Sequence, residues 1–269
     1  MIDQIVWPRY GPSLGFPRVE TLSEIQWWRW ARNGGSRPLL LDLFCGAGGA
    51  AMGYYNAGFD VIGVDIALQP NYPFPMIQAD AIDWMDNHWF WLRPDYDGRV
   101  KQGFHAIHAS PPCQLYSKMS NCRPGLAKSY PDLIPPTRQM LQECARIPWV
   151  IENVEGAPLR DYIELCGFMF GYELYRHRWF EASFPLRAPD HPPHTMTGSR
   201  AGHWEPGKVI SVSGHCAPMW KARQEMAISW TNRDELGEAV PPYYTEYVGQ
   251  TIMEYIPGAK QPRYEDLKC

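Results

Sequence analysis

Cys113 stands in the stretch SPPCQLYS, Ser110 to Ser117, directly behind two prolines and ahead of a polar segment. Pro111 and Pro112 have no N–H to give to a sheet, so they end the strand that precedes them. A thiol fixed at that point is presented at a sheet edge, and its thiolate is a soft nucleophile suited to electron-poor carbon. The alternative, an inert buried thiol, leaves the two prolines without a purpose. The residues that follow, Gln114 to Tyr130, carry Lys118, Arg123 and Lys128 and no acidic side chain.

A second chemistry-bearing stretch is DLFCGAGGAAMG, Asp42 to Gly53, with Gly46, Gly48 and Gly49 in one turn. Glycines there let a ligand approach the backbone closely and offer it helix N-terminal amides. Asp65 ends the next apolar run, where a carboxylate accepts hydrogen bonds from ribose hydroxyls. Asp80 lies at the corresponding place after the third run, within reach of an adenine amino group. A nucleoside with little need of phosphate contacts fits this set, and S-adenosylmethionine is the expected cofactor.

These residues need a scaffold that gathers them at one edge. From Pro38 the chain alternates short apolar runs with helical windows. LLLDLF, DVIGVDI, PMIQAD, FHAIHAS and PWVIENV read as strands; GAAMGYYNAGF, AIDWMDNHWFWL and a segment around TRQMLQECARI read as helices. The pattern predicts an α/β fold of Rossmann-like type, an open, mostly parallel sheet with helices on both faces and its ligands beyond the carboxyl ends of the strands. RHRWFEASF reads as one further strand. Residues 1–37 form an N-terminal arm with a short helix at TLSEIQWWRWARNGG, capped by Ser23 and stopped at Asn33-Gly34-Gly35. Residues 38–181 form the cofactor-binding domain, 182–223 a small loop-rich insert, and 224–269 a helical segment interrupted at Pro241-Pro242.

Composition bounds the function classes. The 269 residues are 45% hydrophobic and 20% charged, ordinary for a folded domain with one good core. Met1 is not followed by a secretory leader pattern, and no window approaches a membrane span, so a cytoplasmic protein is expected. Seven cysteines without a CxxC pair fit reduced thiols rather than a disulfide framework. The net charge of −4 gives no overall attraction to nucleic acid, yet Gly171 to Arg233 holds eight Lys/Arg against five Asp/Glu and five of the eight histidines. The basic character is local.

Taken in order, these stretches resemble the C5-cytosine-specific DNA methyltransferase family. DLFCGAGG is similar to its cofactor motif, SPPCQLYS to its nucleophile motif, IENV to its Glu-Asn-Val motif, RHRWF to its arginine motif, and GEAVPPYYTEYVG to its C-terminal motif beside the cofactor. The match spans Pro38 to Gly249 apart from the insert, and the compact chain fits a solitary phage or prokaryotic member. The resemblance implies a DNA (cytosine-5-)-methyltransferase. Cys113 attacks C6 of a flipped-out cytosine, Glu152 relieves the charge growing on N3, and Arg176 and Arg178 hold the base oxygen and an adjacent phosphate. The cofactor set it implies is Phe44, Cys45, Gly46, Ala47, Gly48, Gly49, Asp65, Ile66, Asp80, Ala81, Pro112, Glu238 and Val240. The partner it implies is double-stranded DNA, met by Gln114, Ser117, Lys118, Arg123 and Lys128 on a loop that closes over the duplex. We expect a monomer.

Three positions depart from the family pattern: Ser110 where glycine is usual, Leu174 where glutamine is expected, and Glu238 where asparagine is usual. None is a reacting group. The insert occupies the family's target-recognition position, and its small size predicts a short recognition sequence or loose specificity. His191, His194, His203, His215 and Cys216 could bind zinc there, but their spacing matches no standard ligand pattern, so no metal is assigned. Two other readings remain open: a tRNA cytosine-5 methyltransferase, which changes only the substrate, and a catalytically silent nucleic-acid-binding relative. A nicotinamide oxidoreductase leaves SPPCQ and IENV unexplained.

Overall fold

The computed structural model describes residues 37–88, 103–117, 130–200, 202–213, 216 and 218–256, with the backbone of Ile5–Val6. The expected N-terminal helix, Lys118, Arg123, Lys128 and His215 lie outside the described residues.

Eight strands form one sheet in the order β1-β4-β3-β2-β5-β6-β8-β7: β1 Ile5–Val6, β2 Leu39–Leu43, β3 Asp60–Asp65, β4 Met76–Gln78, β5 Ala106–Ala109, β6 Trp149–Val154, β7 Ile163–Leu165 and β8 Arg178–Ala182. The strands from β2 to β6 run parallel to one another. β8 is antiparallel to both β6 and β7, and β1 antiparallel to β4. The central strands are continuous apolar runs because both faces of a parallel sheet are covered. Leu40 enters a core with Tyr54 and Val248 on one face. Leu39, Leu41 and Leu43 enter the opposite core with Trp84 and Leu141.

On the first face α1 (Gly49–Asn56) packs against α6 (Pro242–Glu254). Their approach requires Gly53, where an added Cβ would lie 2.0 Å from the Pro242 carbonyl oxygen. The opposite face carries α2 (Ala81–His88) and α3 (Ile134–Cys144). The sequence pattern starts α3 near Thr137, whereas the helix begins at Ile134, because Pro135 and Pro136 occupy a first turn whose N–H groups need no helical partner. A buried bidentate ion pair, Arg138 Nε and Nη2 to the two oxygens of Glu181 at 2.7 Å, ties α3 to β8.

Two elements differ from the sequence reading. β7 is too short for its period to register, and it exists by pairing with β8. The insert does not stand apart. Helix α4 (Met219–Met226) runs across residue 223, and Ile210, Val212 and Ala222 share a third core with Leu174, Met226 and Leu236 of the flanking segments. Helix α5 (Arg233–Glu238) follows, its Asn232 side chain accepting from the amides of Asp234 and Glu235.

Candidate active site

The chain leaves β2 toward β3 on one side and returns through β5 on the other, so the sheet's switch point lies between the carboxyl ends of β2 and β5. A cavity of about 560 Å³ opens there, the size of a small-molecule site. Phe44, Cys45, Gly46, Ala47, Gly48 and Gly49 line one wall, Asp65, Ile66, Asp80 and Ala81 a second, and Glu238 and Val240 a third. Pro112, Cys113, Gln114, Glu152 and Arg178 line the same cavity.

The wall is built to receive a ligand. Phe44 has φ 56 and Gly46 φ 48, both in the left-handed region, so the turn bends sharply out of β2. A Cβ on Gly46 would meet no protein atom within 4 Å, which leaves its backbone bare to the cavity. Ile66 is 70% exposed on the cavity wall, an apolar surface that a flat ring would cover. Asp65 also serves the protein: one carboxylate oxygen accepts from Gly46 N–H at 3.0 Å and the other from Ala67 N–H at 2.9 Å. It fastens the glycine turn to β3 while facing the cavity. Asp80 caps α2 through one oxygen, accepting from the amides of Ile82 and Asp83. Burial and the neighbouring carboxylates of Asp234, Asp65 and Glu235 push the Glu238 carboxyl up.

At the opposite end Cys113 follows the two prolines that end β5, and its carbonyl accepts from the amides of Tyr116 and Ser117 in a tight turn. Asn153 of β6 donates to the Pro111 carbonyl at 2.8 Å, so the Glu-Asn-Val stretch fixes the proline pair directly. Burial pushes the Cys113 thiol up; Arg178 opposes this and Glu152 adds to it. Glu152 is buried, with Arg178 Nε 3.1 Å from its Oε1. Burial raises its carboxyl too, against the pull of Arg178 and a hydrogen bond donated by Ser110. A buried carboxyl so raised is disposed to keep a proton. Gln114 Oε1 is buried without a protein partner among the described residues, beside Cys113.

Arg176 corrects an expectation. The sequence pairs it with Arg178 on one side of a strand, but β8 begins at Arg178, so Arg176 lies outside the strand. Arg176 Nε, Nη1 and Nη2 donate to the carbonyls of Ala239, Val212 and Gly237 at 3.2, 2.8 and 2.7 Å. It holds the C-terminal stretch and the insert, and it is absent from the cavity wall. Burial, then Arg178, lowers it to about 9, so it stays charged at neutral pH.

The sequence reading missed a chain of polar groups behind Glu152. His108 is fully buried, with Tyr54 OH 3.0 Å from its Nδ1 and Ser110 Oγ 2.8 Å from its Nε2. Burial lowers this histidine to about 3, so it is neutral. Ser110 bridges it to Glu152. The departure at Ser110 was visible in the sequence, but His108 looked like any residue of an apolar strand.

No protein-family model matches the chain, and no curated protein matches it. Solved structures do. A protein of Escherichia coli described as a DNA modification methyltransferase encoded within a prophage aligns over 81% of this chain and 99% of its own, with a TM-score of 0.53 and 14% identity. A triple mutant of Spodoptera frugiperda DNMT2 aligns over 80% and 99%, with a TM-score of 0.51 and 13% identity. At these identities the likeness is one of fold, and the fold shared is a Rossmann-like α/β sheet flanked by helices.

Proposed function

We propose that the chain is an S-adenosylmethionine-dependent DNA (cytosine-5-)-methyltransferase. The observation that carries this reading is the convergence of Cys113, Glu152 and Arg178 at one end of a cavity whose other end is the glycine turn with Asp65 and Ile66. A binding module has no use for a proline-presented thiol coupled to a buried carboxyl.

The cavity fits the cofactor on its own terms. Gly46 bares its backbone, Ile66 offers an apolar face for adenine, and Asp65 has acceptor capacity for ribose hydroxyls. Phe44 to Gly49, Asp80, Ala81, Pro112, Glu238 and Val240 complete the enclosure. When bound, S-adenosylmethionine supplies an electrophilic methyl group on sulfonium.

The chain's own residues activate the base. C5 of cytosine is a poor nucleophile, so the Cys113 thiolate first adds to C6, forming an S–C bond while the ring electrons move toward N3. Glu152 gives its proton to N3 at that moment, which leaves C6 saturated and turns C5=C4 with its attached nitrogens into a nucleophilic enamine. Arg178 holds the Glu152 carboxylate left behind. Once C5 carries the methyl group, loss of the C5 proton to a base drives out Cys113 as thiolate, N3 returns its proton to the Glu152 carboxylate, and the aromatic ring is restored. The site sits below the surface, so a duplex cytosine reaches it only by flipping out, at a cost of a few kcal/mol in unstacking.

The test is product analysis. The protein is incubated with methyl-labelled S-adenosylmethionine and a random-sequence DNA duplex, and the digested nucleosides are separated by mass. We expect label in 5-methyldeoxycytidine. Label on an exocyclic nitrogen, or label only in RNA supplied in parallel, contradicts the proposal.

A further inference from the structure

Outside this cavity, four residues far apart in sequence converge at the sheet edge: Cys166, His177, His191 and His194. Cys166 directly follows β7, His177 directly precedes β8, and His191 and His194 lie in the loop after β8, separated by two prolines. Their ligating atoms all lie within 4.8 Å of one another. Cys166 Sγ is 3.3 Å from His194 Nε2. We propose that these four side chains form a structural zinc site.

The geometry is near that of a filled site. Tetrahedral zinc with bonds of about 2.3 Å to sulfur and 2.0–2.1 Å to nitrogen sets its ligand atoms roughly 3.3–3.6 Å apart. The Cys166–His194 pair is already close to that separation, and any wider pair has at most roughly 1.5 Å to close. Cys166 is buried, while His191 and His194 are exposed on the loop. One thiolate and three imidazoles are donors that zinc takes, and four protein ligands close the site to substrate.

The surroundings orient the ligands as zinc sites require. His191 Nδ1 is 2.8 Å from the Pro192 carbonyl, which holds Nδ1 as donor and turns Nε2 outward as acceptor. Glu164, which accepts from the Trp179 indole, lies 3.9 Å from His177 Nε2 as an outer carboxylate partner. Tyr175 stacks on the His194 ring at 3.7 Å and is itself pinned to the Met196 backbone. A zinc here staples the ends of β7 and β8 to the loop that follows. His177 sits between Arg176 and Arg178, so the same ion steadies the backbone from which one arginine grips the C-terminal stretch and the other meets Glu152. The sequence hid the site because two of its ligands precede the insert and only the pair separated by Pro192-Pro193 lies within it.

The experiment equilibrates the full chain with zinc, removes loosely bound metal with a weak chelator, and measures zinc by mass spectrometry. About one zinc per chain is expected. The double variant His191→Gln/His194→Gln, which changes only exposed side chains, is expected to retain none while keeping its circular dichroism. His203→Gln, outside the quartet, is expected to retain the ion. In cobalt-loaded protein, Cys166→Ser is expected to abolish the thiolate-to-cobalt absorption band. A wild-type chain that keeps no zinc, or a folded double variant that keeps as much as wild type, overturns the proposal whether or not the chain methylates DNA.

Discussion

Glu152 and Cys113 share an environment that pushes both ionisations upward, and the proposed mechanism needs them in opposite states: the carboxyl with its proton, the thiol without. As pH rises the thiolate fraction grows and the protonated Glu152 fraction shrinks. The pH dependence of kcat/KM is therefore expected to be bell-shaped, falling at high pH once the thiol is fully ionised and only carboxylate loss remains. Glu152→Gln keeps a neutral hydrogen-bond donor that does not titrate. It is expected to lower the rate by about 10²–10⁴ and to lose the alkaline fall, so that activity climbs until Cys113 is ionised. A variant profile that retains the fall would assign it to another group.

Among the elements, β8 and the stretch before it connect the parts. Arg176 spans from the strand's entry to three carbonyls on two other segments, and replacing it strands buried acceptors. Arg176→Met is expected to cost about 3 kcal/mol, lowering the melting temperature by roughly 6–12 °C. Arg178→Met is expected to impair turnover more than stability, since its carboxylate partner Glu152 is one that burial already favours as neutral. Calorimetry beside a methylation assay separates the two arginines. The presence of β2 to β6 and their mostly parallel arrangement were legible from short apolar runs alternating with helical windows. The role of Arg176 was not, because residues two apart share a side only if both lie in the strand. Likewise the Tyr54–His108–Ser110 chain and the Cys166 quartet depend on contacts between distant segments, which no local spacing encodes.

For the molecule as a whole, His108 sets an acid limit. Its folded value of about 3 lies below the ordinary 6.5, so the unfolded chain binds a proton that the folded chain refuses between those values. Stability contributed by the neutral ring is intact above pH 6.5 and declines as pH falls toward 3. Glu152, raised above its ordinary 4.5 in the folded state, acts in the opposite direction from that value upward and softens the decline there. His108→Gln is expected to melt lower than wild type at neutral pH but to lose less on acidification to pH 4. Equal acid losses in the two proteins would place the limit elsewhere. No described helix is long and apolar enough to cross a membrane.

The central claim is that Cys113 bonds covalently to the substrate base. A duplex carrying 5-fluorocytosine, mixed with S-adenosylmethionine and the protein, tests it by intact mass, because fluorine at C5 blocks the proton loss that releases the thiol. We expect a stable protein–DNA adduct that requires the cofactor and is absent in Cys113→Ala. An adduct that persists in Cys113→Ala, or none in wild type while the cofactor binds and 5-methyldeoxycytidine forms on ordinary DNA, would contradict the mechanism.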